Sequence, residues 1–308
     1  MTLYLPIAEM SVSVITFLAL GATVGFLSGL FGVGGGFLLA PLLTFLGIPP
    51  GVAIATSTSH VVASSVSGAM TQHRRGNVDV KLGLVMLAGG LVGTYLGVNF
   101  VRILTARGLF ELTVSLTYVI FLGTVGTIIL IEGINASRKP RAPGGSSLRK
   151  PGQHSWIERL PFKMRFPRSK LYTSAVPPVV IGMFVGFISA MMGIGGGFVM
   201  IPALIYLLRV PTGLVIGTSL FQIVFVSATA TVLHSVENKS VDIVLAAILI
   251  AGGVLGAQFG TMAGEKLRGE HLRVLLGALI LLVAARMAFD LAVRPSDLYS
   301  LALVPGAP

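Results

Sequence analysis

The sequence predicts an all-α protein that crosses a membrane many times and consists of two copies of one five-segment repeat. Three observations predict this fold: a composition unsuited to a water-exposed surface, a series of long apolar segments, and two matching glycine-rich motifs. Hydrophobic residues make up 54% of the 308 residues and charged residues 11%, whereas about 25% of a typical soluble domain is charged. Much of the surface must therefore face lipid.

Ten apolar segments follow one another along the chain. Eight are long enough to cross the roughly 30 Å hydrocarbon core of a bilayer. They lie at about residues 11–31, 52–72, 81–103, 109–134, 173–192, 212–234, 241–264 and 271–293. The other two, at about 36–47 and 197–208, would form helices of about 18 Å. The sequence thus predicts eight long and two short membrane helices. The first apolar run follows a start without Lys or Arg, so we expect a retained helix rather than a secretory signal.

The second half of the chain repeats the first. The stretch GFLSGLFGVGGGFLLAPLL from Gly25 matches GFISAMMGIGGGFVMIPAL from Gly186 at an offset of 161 residues. The offset grows to 162 at Thr56 and to 163 at Asp79, as two one-residue insertions would produce. The matches divide the chain into a first membrane repeat at 11–134, a linker at 135–172 and a second membrane repeat at 173–293.

The linker carries much of the chain's net charge of +11. Ten of the 22 Lys and Arg lie between Arg138 and Lys170, where Glu158 is the only acid. A basic loop between membrane helices is typical of the cytoplasmic side, so we expect a cytoplasmic linker, a location in the bacterial inner (cell) membrane and no nucleic-acid partner. The linker's Pro, Gly, Ser and Arg content favours a flexible segment.

The two short segments decide how the repeats are related. If each short segment crosses the membrane, every repeat has five crossings and the second repeat is inverted relative to the first. Both termini then lie outside. If the short segments instead turn back, the chain has eight crossings and the repeats are parallel. The distribution of Lys and Arg is nearly the same in both arrangements, and we favour the inverted one.

The paired motifs GVGGG and GIGGG interrupt two apolar runs. Four glycines within five residues break a helix, because glycine adopts backbone conformations closed to other residues. Unwound backbone at membrane depth persists where it lines a cavity or is buried in protein, and the helix that follows presents unpaired N–H groups to an anion. A tight turn needed for packing is the alternative. The candidate substrate contacts in these motifs are Gly34, Gly35, Gly36, Gly195, Gly196 and Gly197.

A polar stripe follows each short segment. Thr56, His60, Ser64 and Ser67 are spaced to share one face of a helix. The second repeat has Thr218, Gln222 and Thr229 in similar positions, and His60 matches Gln222. Polar groups in hydrocarbon line a pathway or join helices by hydrogen bonds, and His60 could serve substrate, a proton or the structure. The candidate substrate contacts here are Thr56, Ser57, His60, Thr218, Ser219 and Gln222.

Glycines also recur every four residues, as at Gly89, Gly93 and Gly97. This spacing is typical of close helix packing within or between subunits, which leaves a homodimer open. The sequence has no cysteine, no set of buried carboxylates and no recognisable catalytic motif. We therefore expect no enzyme activity, no cofactor and no metal site.

At the two glycine motifs the chain resembles the TauE/SafE family of sulfite-exporter-like membrane permeases. The residues that carry the resemblance are GLFGVGGGFLLAPLL from Gly29 with ATSTSH from Ala55, and GIGGGFVMIPAL from Gly193 with GTSLFQ from Gly217. The resemblance implies export of small sulfur-containing anions, such as sulfite or organosulfonates, from bacteria by a secondary transporter or facilitator. The positions that the resemblance implies are functional are the glycine motifs and the Thr/Ser positions after them.

Two other functions remain open at this point. The chain could be a permease for another solute such as a metal cation, although a core without carboxylates or cysteines counts against this. It could also be a membrane sensor or scaffold that acts through the basic loop. An anion exporter needs neither ATP nor a proton relay, because an inside-negative potential favours anion exit by about 2.3 kcal/mol per charge per 100 mV.

Overall fold

The structure is a computed structural model that describes residues 2–31, 36–138, 162–169, 171–208, 210–264 and 269–293. It is almost entirely helical. The first half contains strands β1 (Thr2–Leu5) and β2 (Met10–Ser13) and helices α1 (Val14–Phe31), α2 (Gly36–Phe45), α3 (Pro50–Arg74), α4 (Val80–Ala106) and α5 (Phe110–Arg138). The second half contains β3 (Lys163–Phe166), β4 (Leu171–Ser174), α6 (Val176–Met192), α7 (Gly197–Pro202), a π-helical turn (Ala203–Leu207), α8 (Thr212–Glu237), α9 (Ile243–Gly264) and α10 (Gly269–Ala292).

Six helices of the described chain are long and apolar enough to cross a bilayer, so the fold is that of an all-α polytopic membrane protein. They are Val14–Phe31, Val80–Ala106, Phe110–Asn135, Gly213–Glu237, Ile243–Gly260 and Val274–Ala292. Two of the eight predicted long spans fall outside this group. Helix α3 has 25 residues, but its polar stripe lowers its hydropathy. Helix α6 is apolar but has 17 residues, because it ends at the glycine motif.

Helices of one half pack against helices of the other. The most extensive contacts join α1 to α9, α4 to α6, α5 to α10 and α3 to α8. Helices α1 and α9 run parallel, since Leu18 lies beside Gly252 and Phe26 lies beside Gly260. Helices α4 and α6 are also parallel, as Val179 lies beside Gly89 and Phe187 beside Gly97.

The other two pairs run antiparallel. Thr58 of α3 is hydrogen-bonded to Thr231 near the end of α8, whereas Gly68 further along α3 lies beside Leu220 near the start of α8. In the same way, Gly126 of α5 contacts Ile280 of α10. Leu130, one turn later in α5, contacts Gly277, which precedes Ile280.

The glycine ladders form the two parallel interfaces. A Cβ added at Gly93 would overlap the backbone of Met183 in α6, and one added at Gly256 would overlap the backbone of Ala22 in α1. Glycine therefore lets each pair of helix backbones approach closely. The ladders pack within one chain.

A β-hairpin precedes the first long helix of each half, a feature absent from the sequence-based prediction. Hairpin β1–β2 leads into α1, and hairpin β3–β4 leads into α6. Residues 163–174 are thus partly strand, although they fall in the linker predicted to be flexible at 135–172, and α5 extends to Arg138. The strands have four residues each, too short for alternation to identify them. Residues 139–161 of the linker lie outside the described residues.

The hairpins cover two buried aspartates at the helix starts. Asp79 precedes α4, and its Oδ2 accepts hydrogen bonds from the N–H (3.0 Å) and Oγ (2.6 Å) of Ser169 in the β3–β4 turn. Asp242 precedes α9, and its Oδ2 accepts one from the Ile7 N–H (3.1 Å) in the β1–β2 turn. Each carboxylate also accepts an N–H from the first turn of the helix that follows it, which stabilises the helix start. We call the end with Asp79 and β3–β4 the linker face, and the end with Asp242 the opposite face.

Candidate functional site

The glycine motif of the second half unwinds the chain between two helices. Helix α6 ends at Met192, and Gly193, Gly195 and Gly196 have φ angles of 67°, 76° and 74°. These left-handed conformations favour glycine. Helix α7 begins at Gly197 and passes into a π-helical turn immediately after Pro202. Proline has no N–H to donate in a helix, and the predicted short helix at 197–208 is therefore only partly α-helical.

In the first half, Gly36 is the first residue of α2, as the repeat predicts. Gly34 and Gly35 lie outside the described residues.

Gly36, the described residue of the first glycine motif, lies against the second motif. A Cβ added at Gly36 would lie 2.9 Å from the carbonyl oxygen of Gly193 and 3.0 Å from that of Ile194. It would also overlap Val61, which lies near the middle of α3. A Cβ added at Gly195 would lie 2.5 Å from Val61 and 3.5 Å from Ile223 of α8. Gly36 and the second motif thus share one location, half-way along the central antiparallel pair α3 and α8.

Ser57 joins α3 to the second glycine motif. Its Oγ lies 3.0 Å from the carbonyl oxygen of Gly193 and 2.8 Å from that of Ile54. Ser219 occupies the matching position in α8 and is 1% exposed, and its Oγ has no hydrogen-bond partner among the described residues. These two predicted contacts therefore differ, since one hydroxyl is engaged by backbone and the other is buried without a partner.

His60 and Gln222 are packed on glycines of neighbouring helices. Each is 1% exposed. A Cβ on Gly253 of α9 would overlap the His60 imidazole, and one on Gly90 of α4 would lie 2.8 Å from Gln222 Nε2. The sequence analysis assigned no role to Gly90 and Gly253, and the structure shows that the absence of a Cβ at each makes room for these polar side chains.

The polar atoms of this pair are poorly satisfied. Neither ring nitrogen of His60 has a hydrogen-bond partner in the described part of the chain. Gln222 Oε1 has no partner there either. Gln222 Nε2 donates to the Met86 carbonyl at 3.2 Å. A buried polar group without a partner costs about 1–3 kcal/mol, so these atoms are suited to bind water or a polar ligand.

Thr56 and Thr218 connect helices. Thr56 Oγ1 accepts the backbone N–H of Asp242 at 3.2 Å, and Thr218 Oγ1 accepts that of Asp79 at 3.0 Å. This geometry is that of the interhelical hydrogen bonds named above as the alternative. A substrate contact by either threonine stays a prediction.

A cavity of about 610 Å³ opens at the linker face between α1, α3, α8 and α9. Its polar lining continues the stripe of α3 beyond His60. The polar side chains that line it are Ser28, Ser64, Ser67, Thr71, Gln72, Arg75 and Gln258. The sequence indicated Ser64 and Ser67 by their spacing. Gln72, Arg75 and Gln258 were missed, because they lie near helix ends and no pattern joins α3 to α9.

The corresponding region at the opposite face is filled. Val98, Ala190 and Ala230 form a buried apolar cluster there, packed against Leu233. His234 Nε2 lies 2.9 Å from the carbonyl oxygen of Ala190, which joins α8 to α6. His234 was placed at a segment end from the sequence, and the last turn of α8 indeed contains it, but it is 1% exposed.

A hydrogen bond and a smaller cavity also lie at the opposite face. The Tyr118 hydroxyl donates to the carbonyl of Met192, the last residue before the second glycine motif. A smaller cavity of about 310 Å³ lies beside α8 and α9, lined by residues including Ser59, Thr231 and Val241. None of its lining residues is the counterpart, in the other half, of a residue that lines the larger cavity.

Within the described residues, no cluster of three or more His, Cys, Asp or Glu could hold a metal ion.

The family model for the sulfite exporter TauE/SafE matches residues 17–287 of this chain. The chain belongs to this family. A probable membrane transporter protein of Xylella fastidiosa (strain 9a5c) is 29% identical over 276 residues, which cover 89% of this chain and 94% of the relative. The probable membrane transporter protein YunE of Bacillus subtilis is 24% identical over 286 residues, 90% of this chain and 98% of the relative.

A third relative has a similar description. The probable membrane transporter protein MJ0441 of Methanocaldococcus jannaschii is 25% identical over 278 residues, 84% of this chain and 90% of the relative. No solved structure matches the chain. The family and the six apolar helices together identify a multi-pass membrane protein of a transporter family.

Proposed function

We propose that this protein exports small sulfur oxyanions, such as sulfite or an organosulfonate, across the bacterial inner membrane as a secondary transporter or facilitator. The observation that carries the proposal is a set of buried polar atoms beside Gly36 and the second glycine motif that have no hydrogen-bond partner among the described residues. Ser219 Oγ and both His60 ring nitrogens belong to this set, and the position that matches His60 is held by Gln222, whose Nε2 is a donor. A hydroxyl, an imidazole N–H and an amide N–H are donors that can replace the water around an oxyanion.

The glycine motifs add backbone donors to this site. Gly36, at the start of α2, and Gly195 and Gly196, just before α7, lie where helix starts leave N–H groups unpaired. The site would therefore combine backbone N–H groups with the side chains of His60 and Gln222. The family's description as sulfite exporters supports the choice of anion.

The two halves are inverted repeats in this proposal. Support comes from helix directions, since α3 is antiparallel to α8 and α5 is antiparallel to α10. Parallel packing of α1 with α9, and of α4 with α6, agrees with the same relation. If the second half runs opposite to the first, the two halves contribute matching residues to one site. These residues then face opposite sides of the membrane.

The linker face is cytoplasmic in this proposal. Arg74, Arg75 and Lys81 lie there with the β3–β4 hairpin, where Lys81 Nζ donates to the Arg165 carbonyl at 3.0 Å. Positive charge at one end of the helices is typical of the cytoplasmic side. An anion would thus enter at the linker face and leave at the opposite face, in the direction that an inside-negative potential favours.

The test is efflux of sulfite and, separately, of methanesulfonate from liposomes that contain the purified protein. We expect efflux to exceed that from empty liposomes and to rise when an inside-negative potential is imposed, because 100 mV changes the free energy of a monovalent anion by about 2.3 kcal/mol. The matched control is Thr23→Ala, whose hydroxyl is exposed on α1 and bonded to its own helix. Absence of efflux for both anions under every gradient would refute export.

Gly196→Leu tests the role of the glycine motifs in the same liposomes. Leucine is strained at a φ of 74°, and its side chain would displace Val185. We expect a folded protein with lost efflux. Full efflux from a folded G196L protein would contradict a binding role for this motif.

A further inference from the structure

The 610 Å³ cavity at the linker face extends the polar surface beyond the site predicted from the sequence. Its polar lining consists of hydroxyl and amide side chains and one guanidinium, that of Arg75. No described lining residue is an Asp or Glu. Among the described lining residues, a guanidinium and several neutral polar groups suit an anion better than a cation, which prefers carboxylate ligands.

The deep end of the cavity adjoins His60. Ser64 and Ala257 both line the cavity. Ser64 is one helical turn from His60, and Ala257 is one turn from Gly253, on which His60 packs. The cavity therefore ends one turn from the unpartnered imidazole, with Ser64 between its wide part and His60.

The cavity is large enough for an anion and part of its hydration shell. A water molecule occupies about 30 Å³ in the liquid, so 610 Å³ is the volume of about 20 waters. An oxyanion could thus exchange its hydration gradually for protein donors along α3. Arg75 is exposed near the end of α3, and a planar guanidinium binds two oxygens of an oxyanion at once.

We propose that this cavity is an entry site that binds a small sulfonate or sulfite from the linker face before the anion reaches His60. Arg75 provides the charge and Gln72 and Ser67 provide donors, while Ser64, whose hydroxyl donates to the Val61 carbonyl, marks the deep end. The inference rests on the proposed export function, since it gives the substrate's first binding position for that function. The site is distinct from the glycine motifs and from Ser57 and Ser219.

The absence of cysteine from the sequence provides the test. Ser64→Cys places one thiol in the cavity, and Val226→Cys places one at the matching position of the second half, which is 1% exposed. Each variant is reconstituted in vesicles and treated from either face with a membrane-impermeant, sulfonated maleimide. We expect S64C to be labelled from the linker face and V226C to be labelled from neither face.

Binding is measured as protection of S64C from the maleimide. We expect excess methanesulfonate to slow the labelling, and sodium chloride at equal ionic strength to leave the rate unchanged. Addition of Arg75→Gln should raise the methanesulfonate concentration needed for half-protection about tenfold, the loss expected for one charge-assisted hydrogen bond. Size-exclusion profiles and thermal unfolding of each variant establish that it is folded.

The outcomes separate this inference from the function it rests on. Failure of S64C to react from the linker face, or equal protection by chloride, would overturn the entry site. Efflux of methanesulfonate from the same vesicles without protection would also overturn it while supporting export. Protection without efflux would support the entry site and count against export.

Discussion

The two ends of the molecule are built from matching residues but differ in whether those residues border a cavity. At the linker face, Gly29 and Gln72 both border the 610 Å³ cavity. The matching residues at the opposite face are Ala190 and His234, which are joined by a hydrogen bond of 2.9 Å. Matching residues thus border a cavity at one end and are joined by a hydrogen bond at the other, and the difference lies in the side chains.

Three of the substitutions between the halves have the same direction. Ser64, Gly68 and Thr71 border the cavity, and their counterparts in α8 are apolar and larger or branched. These counterparts are Val226, Ala230 and Leu233.

The charges at the two ends differ in the same way. Arg75 is a cavity residue, whereas the matching Glu237 forms an ion pair with Arg102 at 2.8 Å. The comparison teaches that the second half fills a region that the first half leaves as a cavity, and that a basic residue in one half is matched by an acidic residue in the other.

The first prediction concerns what the halves share and has the largest expected effect. Gly25→Leu and Gly186→Leu each place a side chain against the backbone of a glycine in the partner helix, Gly253 and Gly90 respectively. Because two backbones would have to separate, we expect each change to cost at least about 3 kcal/mol and to abolish a monodisperse folded protein. Size exclusion and thermal unfolding in detergent measure this.

Gly123→Leu is the control, since a Cβ at Gly123 contacts nothing within 4 Å, and it should fold normally. A mild effect of G186L beside a severe effect of G25L would contradict equal packing in the two halves.

The second prediction asks whether both halves serve the binding site. His60→Ala and Gln222→Ala should each lower the initial rate of sulfite efflux about tenfold, the effect of losing one buried hydrogen bond to an anion. H60A should leave thermal stability nearly unchanged, because the imidazole nitrogens have no partner among the described residues. Q222A should also lose some stability with its bond to Met86. Unchanged efflux in both variants would exclude these side chains from the site.

The third prediction tests the closed end. His234→Ala removes the hydrogen bond to Ala190, which is worth about 1 kcal/mol, and should raise the population open at the opposite face about fivefold. The measurement is the labelling rate of V226C from that face in the H234A background. Gln72→Ala, at the matching position, is the control and should not expose V226C. If V226C stays unlabelled in H234A, the bond to Ala190 does not hold the end closed.

The fourth prediction has the smallest expected effect and compares the two aspartate caps. Ser169 donates both its N–H and its hydroxyl to Asp79, whereas the matching position in the first hairpin is Ala8. Ser169→Ala should therefore reduce the free energy of unfolding by about 1 kcal/mol and make the Asp79 cap resemble the Asp242 cap. Thermal unfolding measures the change, with the exposed Ser11→Ala in β2 as control. An effect no larger than that of S11A would show that the hydroxyl is dispensable.

Much of the fold could be predicted from local patterns. The apolar runs predicted the membrane helices, and the helix that ends at Met192 before Gly193 follows from the glycine motif. The glycine spacing at Gly89 and Gly93 predicted close packing, though not the partner helix. The hairpins could not be predicted, because their strands are short and the hydrogen bonds of Ile7 and Ser169 with the aspartates span 235 and 90 residues.

The candidate site was partly predictable as well. The matched positions His60 and Gln222 identified a pair of buried polar side chains, and the structure places each on a glycine. Ser57 was predicted because it is next to Thr56 in the sequence. Its hydrogen bond to the Gly193 carbonyl could be identified only from the tertiary structure. His234 gave no signal, because a histidine in the last turn of a helix is usually solvent-exposed and its partner is a backbone carbonyl of another helix.

The sequence by itself determined that this protein is a membrane protein of helices, that it consists of two similar halves, and that each half has a glycine-rich interruption. These properties depend on the spacing and chemistry of residues close together in the chain. The tertiary structure decided that Gly36 lies against the second interruption, that α1 and α9 and likewise α4 and α6 pair across the halves, and that a cavity opens at the linker face. Those properties depend on contacts between residues 90 or more positions apart, which local sequence patterns do not encode.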